Sequence, residues 1–417
     1  MRPFKNTLRT ILPPFIISAY HFSLAFLAAL IYGFPSRHII VVGVTGTKGK
    51  SSTVEFANAI FEAAGHTTAI ASTVRFKIGA DSKPNLSRMT MMGRFFIQRF
   101  LDSAVRAGCS VVFIEMTSEG ARQSRHRFLD LDALVFTNLA PEHIESHGSL
   151  AAYIDTKFEL GIQLVRSQKR PRLMIANADD PVGARFLTLS VEHPLPFSLA
   201  EAAPYEAREN GSVFHFGGAA MTLHHPGTFS IQNALAAATL ARAFDIDTIT
   251  IARGLASVTT IPGRAERIEE GQDFVVVVDY AHTPESLRAI YDAYKNRRRV
   301  CVLGSTGGGR DMWKRPAMGA IADEYCEHVI LTNEDPYDED PHSIVEGLAR
   351  GVTRHTPEII IDRREAIRRA LTLAKPGDAV LITGIGTDPN ICGPNGTKVP
   401  WNDADVVREE LRKLKSV

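Results

Sequence analysis

Apolar positions in this chain fall into short continuous runs, separated by longer stretches in which they recur every three or four residues. The runs Ile39–Val44, Ser110–Glu115, Ala133–Phe136 and Leu173–Asn177 read as strands buried on both faces. Gly93–Ala107, Leu150–Val165 and Ser230–Phe244 carry helical spacing instead. Such alternation predicts an α/β fold whose mainly parallel sheet is covered by helices. Residues 204–229 hold short polar runs punctuated by glycine and predict a small antiparallel excursion. Thr259–Arg264, with Pro262-Gly263, reads as a linker. After it a second strand series begins, at Phe274–Asp279, Arg299–Leu303, His328–Leu331 and Ala379–Thr383.

The first 36 residues depart from this pattern. From Ile11 to Ser36 there is no Asp, Glu, Lys or Arg, and Phe15–Phe34 is largely apolar. Twenty such residues span about 30 Å as a helix, the thickness of a bilayer core. Arg2, Lys5 and Arg9 in front, and Tyr20 and Tyr32 within, suit a membrane interface, whereas Ser18, His21 and Ser23 dilute the first half. Two readings stand side by side: a helix in or on the membrane through residues 11–36, or a helix packed on the neighbouring domain. No A-x-A-like cleavage site precedes the glycine-rich loop, so a cleaved signal peptide is not expected.

Composition narrows the classes further. With 47 basic and 46 acidic residues the net charge is +1, which offers no field for a nucleic-acid partner and leaves small-molecule substrates. The four cysteines, at 109, 301, 326 and 392, show no C-x-x-C or metal spacing and read as reduced thiols. Cytoplasmic placement is expected, at the inner face of the membrane if the anchor reading holds.

Residues 42–53, Val-Gly-Val-Thr-Gly-Thr-Lys-Gly-Lys-Ser-Ser-Thr, follow a strand run and precede the helical segment Val54–Ala64. That order suits a phosphate cradle. Glycines let backbone N–H groups approach phosphate oxygens, Lys50 reaches the terminal phosphates, and the Ser51 hydroxyl can take Mg²⁺. The strict G-x-x-x-x-G-K-[ST] spacing is not met, since the glycine before Gly49 falls at Gly46 or Gly43. The expected organisation is an apolar lead (1–36), a P-loop ATPase domain (37–262) and a smaller Rossmann-like C-terminal domain (263–417). Glu115 closes a strand run, where a carboxylate can help hold Mg²⁺; an ordinary strand-end acid is the plainer alternative.

Several separated motifs resemble the Mur ligases, ATP-dependent enzymes that add amino acids to the muramyl peptide of bacterial cell walls. The nearest type is MurE, the UDP-N-acetylmuramyl-tripeptide synthetase. Phe136–Gly148 is similar to the family's T-N-L-x-x-D-H-x-x-x-H-G segment, with Glu142 in place of the usual Asp. Asn177–Pro181, Phe229–Asn233, Pro262-Gly263-Arg264, Asp279–Pro284 and Gly307–Pro316 match further family segments. The resemblance covers residues 38–417.

It implies ATP and Mg²⁺ as cofactors. Gly46, Thr47, Lys48, Gly49, Lys50, Ser51, Ser52 and Asn138 would hold the phosphates, and Asn233, Arg264 and Asp279 the adenine and ribose. Ser51 and Glu115 would bind one Mg²⁺ and His143 a second. Lys157 matches a lysine that family members carbamylate into a metal-binding anion; its plain reading is an exposed helical lysine. Lys50, Glu115, His143 and Lys157 form the implied catalytic set. Thr90, Ser118, Gln123 and Arg125 would grip the muramyl peptide, with Asp335 and Tyr337 at the amino-acid selector. The implied reaction forms an amide through an acyl phosphate, in peptidoglycan precursor synthesis.

Departures from the family pattern fall on the acceptor side. Only 38 residues precede the ATPase strand, where MurE proteins carry a domain for the uridine nucleotide, so a lipid-linked carrier is an open alternative. The D-N-P-R selector reads Glu334-Asp335-Pro336-Tyr337, and tyrosine cannot make arginine's bidentate contact to a carboxylate. The acids at 334, 335, 338, 339 and 340 would favour lysine or ornithine, unless they form a solvated loop. G-K-G-H-E reads Gly384-Ile385-Gly386-Thr387-Asp388, and S-S-H reads Thr117-Ser118-Glu119. Rival readings are a related ligase with a folate-polyglutamate or cyanophycin-like acceptor, and a non-catalytic cell-wall scaffold.

Overall fold

The computed structural model describes residues 13–142 and 144–415. Its first element is α1, Pro14–Ile31, opened by a proline whose missing N–H costs a helix start nothing. Ala25, Ala28 and Ala29 are buried where α1 lies against the helix Arg94–Arg106. Phe22 and Phe26 pack on the Phe128 ring at 5.0 and 5.3 Å. Its other face leaves Phe15, Tyr20, Leu30 and Ile31 exposed. Among the described residues no helix is long and apolar enough to cross a membrane. Ile11 and Leu12 of the expected anchor, with Arg2, Lys5 and Arg9, lie outside the described residues.

The first sheet has eight strands: β1 (Ile40–Thr45), β2 (Thr68–Ala71), β3 (Arg75–Ile78), β4 (Asp81–Pro84), β5 (Val111–Glu115), β6 (Ala133–Phe136), β7 (Leu173–Asn177) and β8 (His193–Phe197). They lie in the order β4-β3-β2-β5-β1-β6-β7-β8, parallel except for the β2–β3–β4 meander. Alternation along β1 sends Val42 and Val44 to one core and Val41 to the other. On the first face lie α2 (Lys50–Ala63) and α4 (Gly227–Ala243); on the second lies α3 (Leu150–Val165). Both faces being covered, β1 can be apolar throughout.

The glycine-punctuated stretch forms the antiparallel sheet β9 (Glu206–Arg208), β10 (Gly211–Phe216) and β11 (Ala219–Leu223), as its pattern predicts. The second large sheet holds β12 (Glu266–Arg267), β13 (Val275–Asp279), β14 (Arg299–Leu303), β15 (His328–Leu331), β16 (Glu358–Ile359) and β17 (Ala379–Thr383). Its order is β12-β13-β17-β14-β15-β16, with only β12 antiparallel. It encloses its own two apolar clusters, one on each face.

One expectation from composition needs correction. Cys301 on β14 and Cys326, just after the helix Lys314–Tyr325, are joined in a disulfide with Cα atoms 6.2 Å apart. Their separation of 25 residues is set by a strand–helix crossover, which thiol spacing does not reveal. Cys109 and Cys392 are buried free thiols.

Candidate functional site

The loop after β1 is shaped by two glycines that nothing else could replace. Gly46 has φ +150°, and a Cβ there would sit 1.9 Å from Thr137 Oγ1; Gly49 has φ +83°, and its Cβ would sit 2.1 Å from Asn233 Oδ1 on α4. The end of β6 then staples the loop. The Thr47 N–H donates to the Asn138 carbonyl at 2.8 Å, and the Lys48 N–H to Asn138 Oδ1 at 2.9 Å. Asn138 Nδ2 and Thr137 Oγ1 donate to the Lys48 carbonyl at 3.2 and 2.6 Å.

Lysines converge on this loop. Lys50 Nζ donates to the carbonyls of Gly46 and Thr47, both at 3.0 Å. Lys157, projecting from α3, donates to the Gly46 carbonyl at 2.8 Å and lies 5.0 Å from the Tyr153 ring. It is 2% exposed, so the exposed-lysine alternative is corrected: helical spacing does not show that the loop backbone folds over this position. Burial pulls Lys48, Lys50 and, furthest, Lys157 below the ordinary lysine range, the charge of Lys50 adding to the last. An entering polyanion would reverse that destabilisation, so the residues fit a nucleotide's phosphates.

The facing wall comes from the second sheet. Asp279, at the end of β13, accepts from the N–H groups of Ala265 (2.6 Å) and Ala281 (2.7 Å), and burial pushes its carboxyl up. Arg264 lies 4.4 Å over the Tyr280 ring and reaches Ser51 Oγ at 3.4 Å. Between the walls lies a cavity of about 340 Å³ whose lining includes Lys48, Gly49, Ser52, Asn138, Asn233, Arg264 and Asp279. Phe56, His225 and Phe229 add apolar and aromatic surface suited to a planar base.

Lys48 also bridges the two walls. Its Nζ lies 3.2 Å from both Glu142 Oε1 and His282 Nε2. Burial, then Lys48, lowers His282 to about 4, so the ring is neutral. Nδ1–H donates to the Tyr280 carbonyl at 2.6 Å, and Nε2 stands between Lys48 Nζ at 3.2 Å and Glu142 Oε1 at 2.8 Å. Glu115, at the end of β5, is fully buried and accepts from Thr73 N–H at 3.0 Å and Thr73 Oγ1 at 2.9 Å. With its one proton on Glu115, Thr73 Oγ1 accepts from the Thr90 hydroxyl at 2.9 Å. His143, expected to hold a second Mg²⁺, lies outside the described residues. Among the described residues no three His, Cys, Asp or Glu side chains cluster as a metal cage. Mg²⁺ beside a nucleotide needs only one or two protein ligands, so Ser51 and Glu115 fit that role.

The expected acceptor residues fall on one loop cluster. Arg125 donates to the Met91 carbonyl, next to Thr90, and to Gln123 Oε1 at 2.7 Å. Ser118 is buried at the start of the short helix Ser118–Arg122. Glu119, where the family has histidine, accepts from Gln123 Nε2 at 2.6 Å.

The acidic run at 334–340 divides by position. Glu339 pairs with Arg315 at 2.6 Å, and Asp340 caps the helix Pro341–Ala349. Glu334 and Asp335 instead face a second cavity of about 110 Å³ between the two sheets, lined also by Glu142, His282, Lys314, Tyr337 and Asp388. Tyr337 adopts φ +52° beneath Arg310, which lies 4.9 Å over its ring.

Family comparison agrees with this two-walled arrangement. The Mur ligase middle domain matches residues 44–241, and the Mur ligase glutamate ligase domain matches residues 263–386. The chain belongs to the Mur ligase family. This Mur ligase is 36% identical over 405 residues to the UDP-N-acetylmuramoyl-L-alanyl-D-glutamate--2,6-diaminopimelate ligase of Syntrophomonas wolfei subsp. wolfei, across 94% of this chain and 82% of that one. It is 37% identical over 424 residues to the UDP-N-acetylmuramyl-tripeptide synthetase of Roseiflexus sp., with the same coverage of 94% and 82%. A solved 2,6-diaminopimelate ligase superposes with a TM-score of 0.61 at 27% identity, over 90% of this chain and 79% of that one.

Sequence reasoning on this Mur ligase left out three residues that the structure brings into the site. His282 was legible as part of the Asp279–Pro284 motif, without a role. His225 stands alone in its segment and carries no signal. Arg88, two residues before Thr90, reaches Asp335 across the chain, and its only signal was a cation in an otherwise neutral turn.

Proposed function

We propose that this Mur ligase joins a muramyl-peptide carboxylate to an amino acid, consuming ATP with Mg²⁺, in peptidoglycan precursor synthesis. The observation that carries the reading is the convergence of Lys48, Lys50 and Lys157 on one glycine-rich loop, opposite Arg264 and Asp279. The names of its relatives, which are ligases of this type, point the same way. We divide the chain at residues 262 and 263, between the paired apolar clusters of each sheet.

ATP supplies the phosphoryl group that activates the carboxylate as an acyl phosphate for the amine. The chain's own residues do the rest. Lys50 and the loop N–H groups hold and neutralise the phosphates, while Asn233, Arg264 and Asp279 orient the nucleoside end. Ser51 and Glu115 would hold one Mg²⁺, and His143 a second. Lys157, a buried amine favoured in its neutral form, can attack CO₂: a C–N bond forms, the nitrogen loses a proton, and a carbamate anion replaces a cation that would repel the metal. Closure of the two walls keeps water from the acyl phosphate.

The test is a ligation assay with UDP-MurNAc-L-Ala-D-Glu, Mg²⁺, ATP and pooled amino acids, products being identified by mass. A ligated product is expected, with the rate falling about tenfold or more when CO₂ and bicarbonate are stripped away. ATP hydrolysis without any product would favour another acceptor, lipid-linked, folate or cyanophycin-like. No hydrolysis at all would favour the scaffold.

We infer further that the exposed face of α1 rests on the cytoplasmic surface of a membrane. Phe15 is 72% and Ile31 59% exposed, and the sequence holds no acidic residue before Glu55. The full chain is expected to co-sediment with anionic vesicles, and the double substitution Leu30→Ser with Ile31→Ser to weaken this several-fold. Equal sedimentation of both proteins would dismiss the surface role.

A further inference from the structure

Arg88 sits in the turn after β4 with φ +60°, a backbone state that side chains other than glycine rarely adopt. From there its side chain crosses to the second sheet's loops. The guanidinium makes a forked pair with Asp335 and donates to Asp388 Oδ2 at 2.7 Å. It also donates to the Asn390 carbonyl at 3.0 Å and to Cys392 Sγ at 2.7 Å. The side chains of Arg88, Asp335 and Asp388 are 14%, 7% and 12% exposed.

This ion cluster lies in the 110 Å³ cavity, together with Lys314 and Glu334. Glu334 is 4% exposed; its Oε1 accepts from Thr306 Oγ1 at 2.7 Å, and its Oε2 has no hydrogen-bond partner among the described residues. One guanidinium therefore serves two carboxylates, while a third keeps an unanswered oxygen. The lining sets the acids Glu142, Asp311, Glu334, Asp335 and Asp388 against the cations Arg88, Arg310 and Lys314, so a further cation is favoured there.

We propose that Arg88 is a resident occupant of the amino-acid site, holding with its guanidinium the place that the side-chain ammonium of a basic amino acid takes during ligation. The inference rests on the ligase reading of the same site and names its substrate class. A lysine-like substrate brings an ammonium to Asp335 and Asp388. A neutral side chain of equal length would leave both acids bare once Arg88 withdraws. Being tethered, Arg88 competes at high effective concentration, and the backbone strain at residue 88 offsets part of its pairing, which keeps it displaceable. Substrate affinity is lowered by the fraction of molecules in which Arg88 is seated.

The experiment is calorimetric binding of L-lysine and of L-norleucine, its neutral isostere, to the full chain loaded with a non-hydrolysable ATP analogue. Arg88→Met, which keeps the apolar stem, is expected to bind lysine about tenfold tighter than the unaltered protein, with norleucine about tenfold or more weaker than lysine in both proteins. Adding Asp335→Asn should abolish that gain. In turnover the same variant lowers KM for lysine about tenfold, with kcat changed by less than about threefold. Nucleotide binding in the same cell checks that Arg88→Met is folded, since Arg88 does not line the nucleotide cavity. Weaker or equal lysine binding in Arg88→Met overturns the occupant role and leaves Arg88 as a positioning residue. Norleucine binding as tight as lysine in Arg88→Met overturns the substrate class. Should the binding pattern hold while no ligated product forms, the proposed reaction fails and the occupant role stands.

Discussion

Lys50→Ala is expected to lower amino-acid-dependent phosphate release about a thousandfold, while leaving the protein folded. The effect is large because little covalent chemistry is asked of the protein in phosphoryl transfer; charge placement does most of the work, and a single well-placed cation is worth two to three orders of magnitude or more. In the structure Lys50 Nζ is held by the Gly46 and Thr47 carbonyls at the start of α2, in position to meet a terminal phosphate. The fold survives because the loop is stapled independently, through Asn138 and Thr137. Lys50→Arg should fail nearly as badly, since a planar fork cannot replace a compact ammonium between two carbonyls. Steady-state phosphate release, with nucleotide affinity measured separately, decides the matter. A loss of less than about tenfold would move the principal charge to Lys48.

Acidification is expected to unfold the protein in an unusually high window, beginning near pH 6.5. His126 and His225 are 2% and 4% exposed, and among the described residues neither ring nitrogen of either has a hydrogen-bond partner. Burial first, aided by Arg166 for His126 and His224 for His225, lowers both to about 4; burial and then Lys48 do the same for His282. An unfolded histidine titrates near 6.5, so between about pH 6.5 and 4 the unfolded chain binds more protons. The stability these neutral rings represent is fully present above that window and is lost as pH falls through it. Each ring accounts for on the order of 3 kcal/mol across the window, against a typical total of about 5–15 kcal/mol for a whole domain.

Depressed carboxylates act separately. Asp323 and Glu410, held at about 2 by backbone N–H groups and by arginines respectively against the cost of burial, lose their contribution only at lower pH. Urea midpoints measured from pH 7.5 to 4.5 should fall steeply, and His126→Leu should remove about one proton's worth of the slope. Midpoints that stay level from pH 7 to 5 would show that these rings take up protons without unfolding.

Strands such as Ala133–Phe136 and Leu173–Asn177 were legible because a strand buried on both faces must be apolar at every position. The β2–β4 meander was not, since four-residue strands carrying Lys77, Asp81 and Lys83 lack a run long enough to register. The loop at 45–51 stood out because glycine, lysine and serine fall at the junction of two strong periodic signals. What the sequence could not show was which distant groups meet. Lys157 reads as a solvated helical lysine until the Gly46 carbonyl is placed against it, and the five acids at 334–340 look alike until the fold sends Glu334 and Asp335 inward. Arg88 and Asp335 are separated by 247 residues, and no local pattern ties them together.

The split of the site between two α/β layers has a consequence for how this protein can change over generations. Each layer encloses its own core, so each could in principle be traded for the matching piece of a related gene. Such an exchange would part Lys48 and Glu142 from His282, Ser51 from Arg264, and Arg88 from Asp335 and Asp388 in one step. A hybrid would keep its packing and lose its charge pairing across the cleft. Exchange of one layer alone is therefore expected to leave buried charges on the other without their partners.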